Sequence, residues 1–558
     1  MNLAPLKQIL RFLRYRLPGF EYLAHQVQRL TPAGREIRAR EAEALKRWRE
    51  QCRCLFSQPL NPAADKTVLM IGQPRVDFVA LESFVLKAFE MAGYRPVVLS
   101  GPGWPVHQAY RAEGIHDRYF FQEFTPFPKM QAARQLAAGI KAFPDLIEAS
   151  YRGVRIGKYV ASTLMRMWRQ GSIPIGEPKV AAELIERLAQ SMAYVDGAHE
   201  MIRRFQPGAA VFVDRGYSPS GELFDTCIAQ GIPCYSWNAA HRNNALMLKR
   251  FDCDNATVHP SSLSPKSWKT LRDRPWSDDI AGKVRSELAW CYSSGEWYSE
   301  VGTQVNKQEL EKESLICQLG LDPRKKTGVI FSHIFWDATF FWGVDLFRDY
   351  EDWFVQTVKA ACGNDRLNWL VKVHPANVVK DHRDGVKGEP SEIQALKKHI
   401  GELPPHVKVL PADWKVSTFS LLNIMDYCLT VRGTVGIEAA MLGKTVLTAG
   451  TGRYDRYGFT HDFDTPAAYL DALGRLETIP SPSSAETELA VRYGYGVFLG
   501  RPLPLSSLQM EYQKDARATL KVGWKLHTFE ELKQAPDLLE AARYIRSGDE
   551  DYLAPVND

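Results

Sequence analysis

The chain lacks any run of roughly 18 apolar residues, so no membrane-spanning helix is expected. Its nine cysteines include no C-x-x-C pair and no zinc-type spacing, and Cys52 and Cys54 are separated by one residue only. Scattered thiols of this kind suit a reducing compartment rather than a disulfide framework. No His/Asp/Glu triplet has metal-ligand spacing, so neither a metal nor a cofactor is expected. A G-x-S-x-G elbow is missing, which argues against a Ser-His-Asp hydrolase of the α/β type. A G-x-x-x-x-G-K-[ST] loop is missing too, which argues against a P-loop enzyme. The N-terminus has no uninterrupted apolar core, because Lys7, Arg11, Arg14 and Arg16 break it up, so it does not read as a signal peptide.

The net charge of +5 is uneven. Residues 1 to 56 hold twelve Lys/Arg against five Asp/Glu, so the rest of the chain carries −2. Basicity confined to one end does not make a nucleic-acid groove, and no nucleic acid is expected as partner. Within that end, Leu3, Leu6, Leu10, Leu13 and Leu17 recur at helical spacing with basic residues between them. The pattern over residues 1–17 fits a helix lying on an anionic membrane surface, or equally a helix packed on its own protein. The expected location is cytoplasmic, with peripheral attachment to the inner face of the cytoplasmic membrane if that helix binds lipid.

What is present in the body is strand–turn–helix alternation, which predicts parallel sheets with polar loops at the strand C-termini. Strands are expected at 67–71, 96–99, 209–213 and 233–237, then at 327–331, 369–373, 407–410, 427–430 and 445–448. Residues 128–205 carry little strand signal and read as a helical insertion; from Pro480 the chain reads as helices to its end. The resulting division is a basic helical extension (1–62), a first Rossmann-like domain (63–310), a second (311–480) and C-terminal helices (481–558).

Candidate site residues follow from the strand ends. Asp214 and His241 each lie just past a first-half strand, where an open α/β sheet keeps its chemistry, although a capping Asp and a loop His would look the same. In the second half His333 follows one strand, and Lys372-Val373-His374-Pro375 closes the next. Lys372 and His374, two apart, would share a face and meet one phosphate if the strand held its pleat as far as Pro375. Gly433 and Thr434 stand where a helix starts and backbone N–H groups converge on an anion. Thr434 would cap that helix and Gly436 would let a ligand approach the backbone. Glu438, four residues on, shares the face of Thr434 and could accept from ribose hydroxyls; its alternative is a displaced capping box. Arg152 and Lys158, in a small basic cluster, are either a solvated face or acceptor-side contacts.

These residues add up to a resemblance. Lys372–Pro375, Arg432-Gly433-Thr434-Val435-Gly436-Ile437-Glu438-Ala439-Ala440 with Gly443-Lys444-Thr445-Val446, and Gly450 to Thr460 look like the capsule polysaccharide biosynthesis family. The likeness covers residues 327 to 462 well and the N-terminal half only in general terms. It implies a GT-B fold of two facing Rossmann-like domains, with a nucleotide-sugar on the C-terminal one and a glycan or lipid-linked glycan acceptor on the other. On it His374, Thr434, Gly436 and Glu438 are nucleotide-binding positions, and relatives that use CMP-sugars make a CMP donor the favoured one. Kdo-transferring relatives carry a Glu-Asp-Gly motif where this chain has Asp214-Arg215-Gly216. Asp214 is then the expected carboxylate, as general base or as nucleophile. A CDP-polyol phosphotransferase, a sugar-nucleotide isomerase and a non-enzymatic glycan-assembly protein are the alternatives.

Overall fold

The computed structural model describes residues 32–555 except 102–103, 303, 338, 385–387 and 515–517, together with isolated positions between 20 and 30. The amphipathic segment 1–17 lies outside the described residues. No helix among the described residues is long and apolar enough to cross a membrane.

Two sheets organise the chain. In the first, β1 (Lys66–Ile71), β2 (Tyr94–Ser100), β3 (Asp117–Phe120), β4 (Pro207–Phe212) and β5 (Cys234–Ala239) run parallel in the order β3-β2-β1-β4-β5. In the second, β7 (Thr327–Phe331), β8 (Asn368–Lys372), β9 (Val407–Leu410), β10 (Tyr427–Thr430) and β11 (Thr445–Thr448) run parallel in the order β11-β10-β7-β8-β9. Counted within each half, both orders are 3-2-1-4-5. Each half is therefore doubly wound, with a topological switch point between its first and fourth strands. The protein has the expected α/β fold class, with two Rossmann-like halves.

The second-half strands form because short β-rich runs such as Thr445-Val446-Leu447-Thr448 are buried on both faces, as parallel strands under helices must be. β3 and β6 (Ala245–Phe251) escape such a reading. β3 is a half-buried edge strand that starts on Asp117-Arg118, and β6 returns antiparallel along β5 as a hairpin.

The expectation of helices alone after Pro480 is corrected by three strands. Helix Ser484–Tyr495 packs on helix Thr434–Met441, so closely that a Cβ on Gly494 would lie 2.2 Å from the Met441 sulfur. The chain then crosses to the first half, where β12 (Leu503–Pro504) pairs with β6 and β13 (Leu508–Tyr512) forms a hairpin with β14 (Leu520–Trp524). Alternate residues Leu508 and Met510, and Leu520 and Trp524, enter the first-half core; Pro502 and Pro504 disguise the edge strand beside them. Helix Pro536–Ser547 then packs on helix Val79–Met91.

The helical layer between β3 and β4 also joins the halves. Its core includes Ile334, Trp336 and Phe341 from the loop after β7, with Tyr159 stacked on Phe341 at 5.3 Å and Arg169 over Trp336 at 3.9 Å.

Candidate active-site cleft

A cavity of about 440 Å³ opens at the C-terminal ends of β7, β8 and β10, at the second switch point. Its lining draws on the loop after β7 (His333, Asp337), the loop after β8 (His374, Pro375), the turn after β10 (Gly433, Thr434, Glu438) and the connection between the halves (Trp297, Glu300). The structure thus gathers His333, His374, Pro375, Gly433, Thr434 and Glu438 around one space.

Hydrogen bonds set the tautomers of both histidines. The Ala376 N–H donates to His374 Nδ1 at 3.2 Å, so the ring proton sits on Nε2. Burial, then Lys380 and Lys372, lowers His374 to about 4. At neutral pH it is a neutral N–H donor. His333 Nε2 receives the Val431 N–H at 3.2 Å and lies 3.1 Å from Thr430 Oγ1, so its proton sits on Nδ1. Burial, with His374, Arg432 and Arg453 nearby, pushes His333 well below its ordinary value. Its ring stacks on Tyr350 at 4.6 Å.

Helix Thr434–Met441 begins at the cavity, with Gly433 as its N-cap and no side-chain cap. Thr434 is thus the first helical residue rather than the capping one. Gly433 donates its N–H to Thr430 Oγ1 at 3.1 Å; the N–H groups of Thr434 and Val435, in the first turn, have no intrahelical acceptors, and both residues line the cavity. Gly443 takes φ +70° after the helix, as a left-handed C-terminal glycine should.

Gly436 has another reason for being small. A Cβ there would lie 2.1 Å from the Tyr454 hydroxyl, which donates to the Gly433 carbonyl at 2.7 Å. Gly436 faces Tyr454 and is absent from the cavity lining, so it makes room for a side chain rather than for a ligand. Gly436→Ala is expected to cost about 1–3 kcal/mol by overpacking and to loosen the turn at Gly433. A thermal melt that does not move would refute this packing role.

Glu438 is buried, and its Oε2 accepts from the Tyr292 hydroxyl. Burial raises it to about 7, with Tyr292 and Thr434 opposing. Lys372 is also buried, and β8 ends at it, so the pleat does not continue to His374. Its ammonium donates to the carbonyls of Val373 (3.1 Å) and Pro411 (3.0 Å), and burial lowers it to about 7.

Several lining groups were not singled out from sequence. Arg453 donates to the Arg432 carbonyl at 3.1 Å, forms no ion pair among the described residues, and keeps a buried Nε without a partner. Arg432, by contrast, is paired with Asp345 at 2.5 Å and bonded to Tyr350. Asp337 accepts from Tyr217 at 2.8 Å and pairs with Lys380, which ties a first-half loop to a second-half loop. Burial opposes its charge, but Lys380, Tyr217 and Arg166 hold it at about 2.

Other sequence candidates lie elsewhere. Asp214 is not part of the lining; it stands at the first-half switch point, open to solvent, with Gly216 N–H bonded to it at 2.8 Å. Arg215 beside it turns inward between Phe224 and Phe251, both 4.2 Å away, and donates to the carbonyls of Ala256 and Val258. His241 sits in the β5–β6 turn rather than in the cleft. It is buried between Trp297 and Phe498 and held 2.8 Å from Glu287, because β6 folds back where a parallel crossover would have left a loop. Arg152 and Lys158 pair with Asp196 (2.7 Å) and Asp225 (2.8 Å), away from the cavity.

Two side-chain groups among the described residues stand close enough to share a cation, His241–Glu287–Cys291 and Asp252–Cys253–Asp254. Neither lines the cavity. Sequence spacing hides the first because its histidine comes from a distant hairpin.

No family model matches the chain. A stretch of 73 residues is 37% identical to Protein FixF from Sinorhizobium fredii, covering 12% of this chain and 18% of that relative. Among solved structures the chain is similar to Thermosulfurimonas dismutans KpsC, beta Kdo 2,4 transferase, at 14% identity and TM-score 0.33, over 59% of this chain and 87% of that one. It is also similar to the S. aureus MnaA-UDP co-structure (11%, TM-score 0.29, 78% and 93%). A third likeness is to UDP-GlcNAc 2-epimerase from Neisseria meningitidis bound to UDP-GlcNAc (10%, TM-score 0.27, 77% and 96%).

Proposed function

We propose that the protein is a glycosyltransferase that moves a sugar from a nucleotide-sugar, a CMP-sugar favoured, to a surface-polysaccharide or lipid-linked acceptor in capsule or lipopolysaccharide biosynthesis. One observation carries this reading: at the second switch point, neutral N–H donors, free helix-start amides and the unpaired Arg453 converge on a single cavity. That set suits a phosphate ester, and Glu438 beside it suits the ribose hydroxyls of the nucleotide. As the bond to the leaving phosphate breaks, the same fixed donors would stabilise the charge that develops. On this reading residues 311–480 hold the donor and residues 63–310 the acceptor. Asp214 stands on the acceptor side.

The test is a thermal-shift panel with CMP, CDP and UDP, followed by hydrolysis and transfer assays with labelled donors. A nucleotide that binds the folded state raises the melting temperature by mass action. If none of the three does so, the reading falls. Transfer from a CDP-polyol but from no CMP-sugar would favour the polyol phosphotransferase alternative. Isomerisation of a nucleotide-sugar with no acceptor present would favour the isomerase.

Attachment at the inner membrane face belongs to the same proposal. Exposed Leu23, Val27 and Leu30 continue the apolar pattern of residues 1–17 towards the body. Flotation with anionic vesicles that survives deletion of residues 1–30 would remove this part of the proposal.

A further inference from the structure

The cleft holds a carboxylate that no expectation from sequence used. Glu300 belongs to a single turn, Ser299–Val301, in the connection between the halves, and lines the cavity with His374, Lys380 and Glu438. The backbone is left-handed on both sides of that turn, with φ +46° at Tyr298 and +59° at Gly302. For a tyrosine this conformation costs on the order of 1 kcal/mol or more, and it persists only where the surroundings enforce it. They do so here: Tyr298 N–H donates to the His241 carbonyl at 2.8 Å, and its ring packs edge-on against Trp297 at 5.2 Å. The buried His241 hairpin thus anchors a strained turn that presents Glu300 to the cleft.

The other acidic groups here are committed. Asp337 serves Tyr217 and Lys380, Glu438 serves Tyr292, Asp345 serves Arg432, and Asp214 lies outside the lining. Glu300 makes no ion pair and accepts no hydrogen bond among the described residues. Burial raises it to about 7, with Lys380 opposing and Asp337 reinforcing. A carboxyl in that range exchanges protons near neutral pH, as a general base must.

We infer that Glu300 is the proton-accepting carboxylate of the transfer, an assignment that rests on the glycosyltransferase reading. The acceptor hydroxyl oxygen bonds to the anomeric carbon while its proton passes to Glu300. The bond from that carbon to the phosphate oxygen breaks, and its electron pair leaves with the phosphate, beside Arg453 and His374 N–H. Glu300 returns its proton to water. Asp214, open at the first-half switch point, is left to orient the acceptor.

The test uses the full chain and labelled donors chosen from the thermal-shift panel, with water or a glycan as acceptor. E300Q is expected to lose about 10²- to 10⁴-fold in kcat while its nucleotide Kd stays within about twofold. The acid limb of the wild-type pH–kcat profile should vanish in E300Q, and E300D should recover part of the rate. E300D also serves as the test variant if E300Q fails to fold by circular dichroism. E300Q turning over at near wild-type rate, with Asp214→Asn inactive, overturns the assignment alone. Wild type that binds nucleotide but releases sugar from no donor overturns the glycosyltransferase reading and Glu300 with it.

Discussion

Replacing Asp551 with alanine is expected to destabilise the folded protein by about 3–5 kcal/mol, because it leaves the buried Arg501 without its counter-charge and Lys249 with Glu550 alone. Asp551 and Lys249 are fully buried and 2.7 Å apart, and Arg501, also fully buried, stands 3.6 Å from the same carboxylate. Asp551 also receives the Ser264 N–H, and Arg501 donates to the carbonyls of Leu248, Pro260 and Ser262. The cluster ties the end of the chain to β6 and to the segment that crosses between the halves. Burial opposes the Asp551 charge, but Arg501 and Lys249 overcome it and hold the group at about 2, below its ordinary 3.8. Its folded-state value is depressed, so its contribution is complete above the ordinary value and lost as pH falls from there through about 2. Denaturant melts of Asp551→Ala near neutrality, and of wild type down to about pH 2, read both effects. Arg501→Met in the Asp551→Ala background should recover part of the loss by removing the cation left without a carboxylate, since Lys249 keeps Glu550 at 2.6 Å. A loss under about 1 kcal/mol, within the range of an ordinary surface change, would refute the clamp.

Arg453→Ala is expected to weaken nucleotide binding by about 10- to 100-fold, the worth of one charge-assisted hydrogen bond to phosphate. Arg453 is the informative choice because it has no acidic partner to strand among the described residues, so its removal should read out in affinity with little change in melting temperature. Arg432→Ala should do the reverse and destabilise, since Asp345 would lose its partner and Tyr350 its donor. Calorimetric titration of both variants with the best nucleotide of the panel separates them. Unchanged affinity in Arg453→Ala would place the phosphate elsewhere in the cleft.

Local chemistry made much of the cleft readable in one dimension. His374 is stiffened by Pro375, and the turn from Gly433 to Glu438 announces a helix start, because short-range geometry alone brings those groups to strand ends. Arg453 was within reach: it lies in the Gly450 to Thr460 stretch that carried part of the family likeness, yet nothing in its neighbours marks it as unpaired. Tyr292, Trp297 and Glu300 carry no local signal at all. They come from a helical connection with weak periodicity and meet the cleft only because the halves fold against it. His241 shows the converse, a strand-end residue that lies outside the cavity lining. A histidine past a strand end reaches a switch-point crevice when the next strand is parallel, and here β6 turns back antiparallel.

The amino-acid sequence by itself determined the doubly wound second half, the place of its strands and the turn at Gly433 that opens a helix. Those depend on burial patterns and backbone freedom within a few residues. Tertiary structure alone decided which carboxylates reach the cavity, which cations are already paired and why Gly436 must be small. Those are properties of distances between residues tens to hundreds of positions apart, and pairing or burial at such separations leaves no trace in local composition.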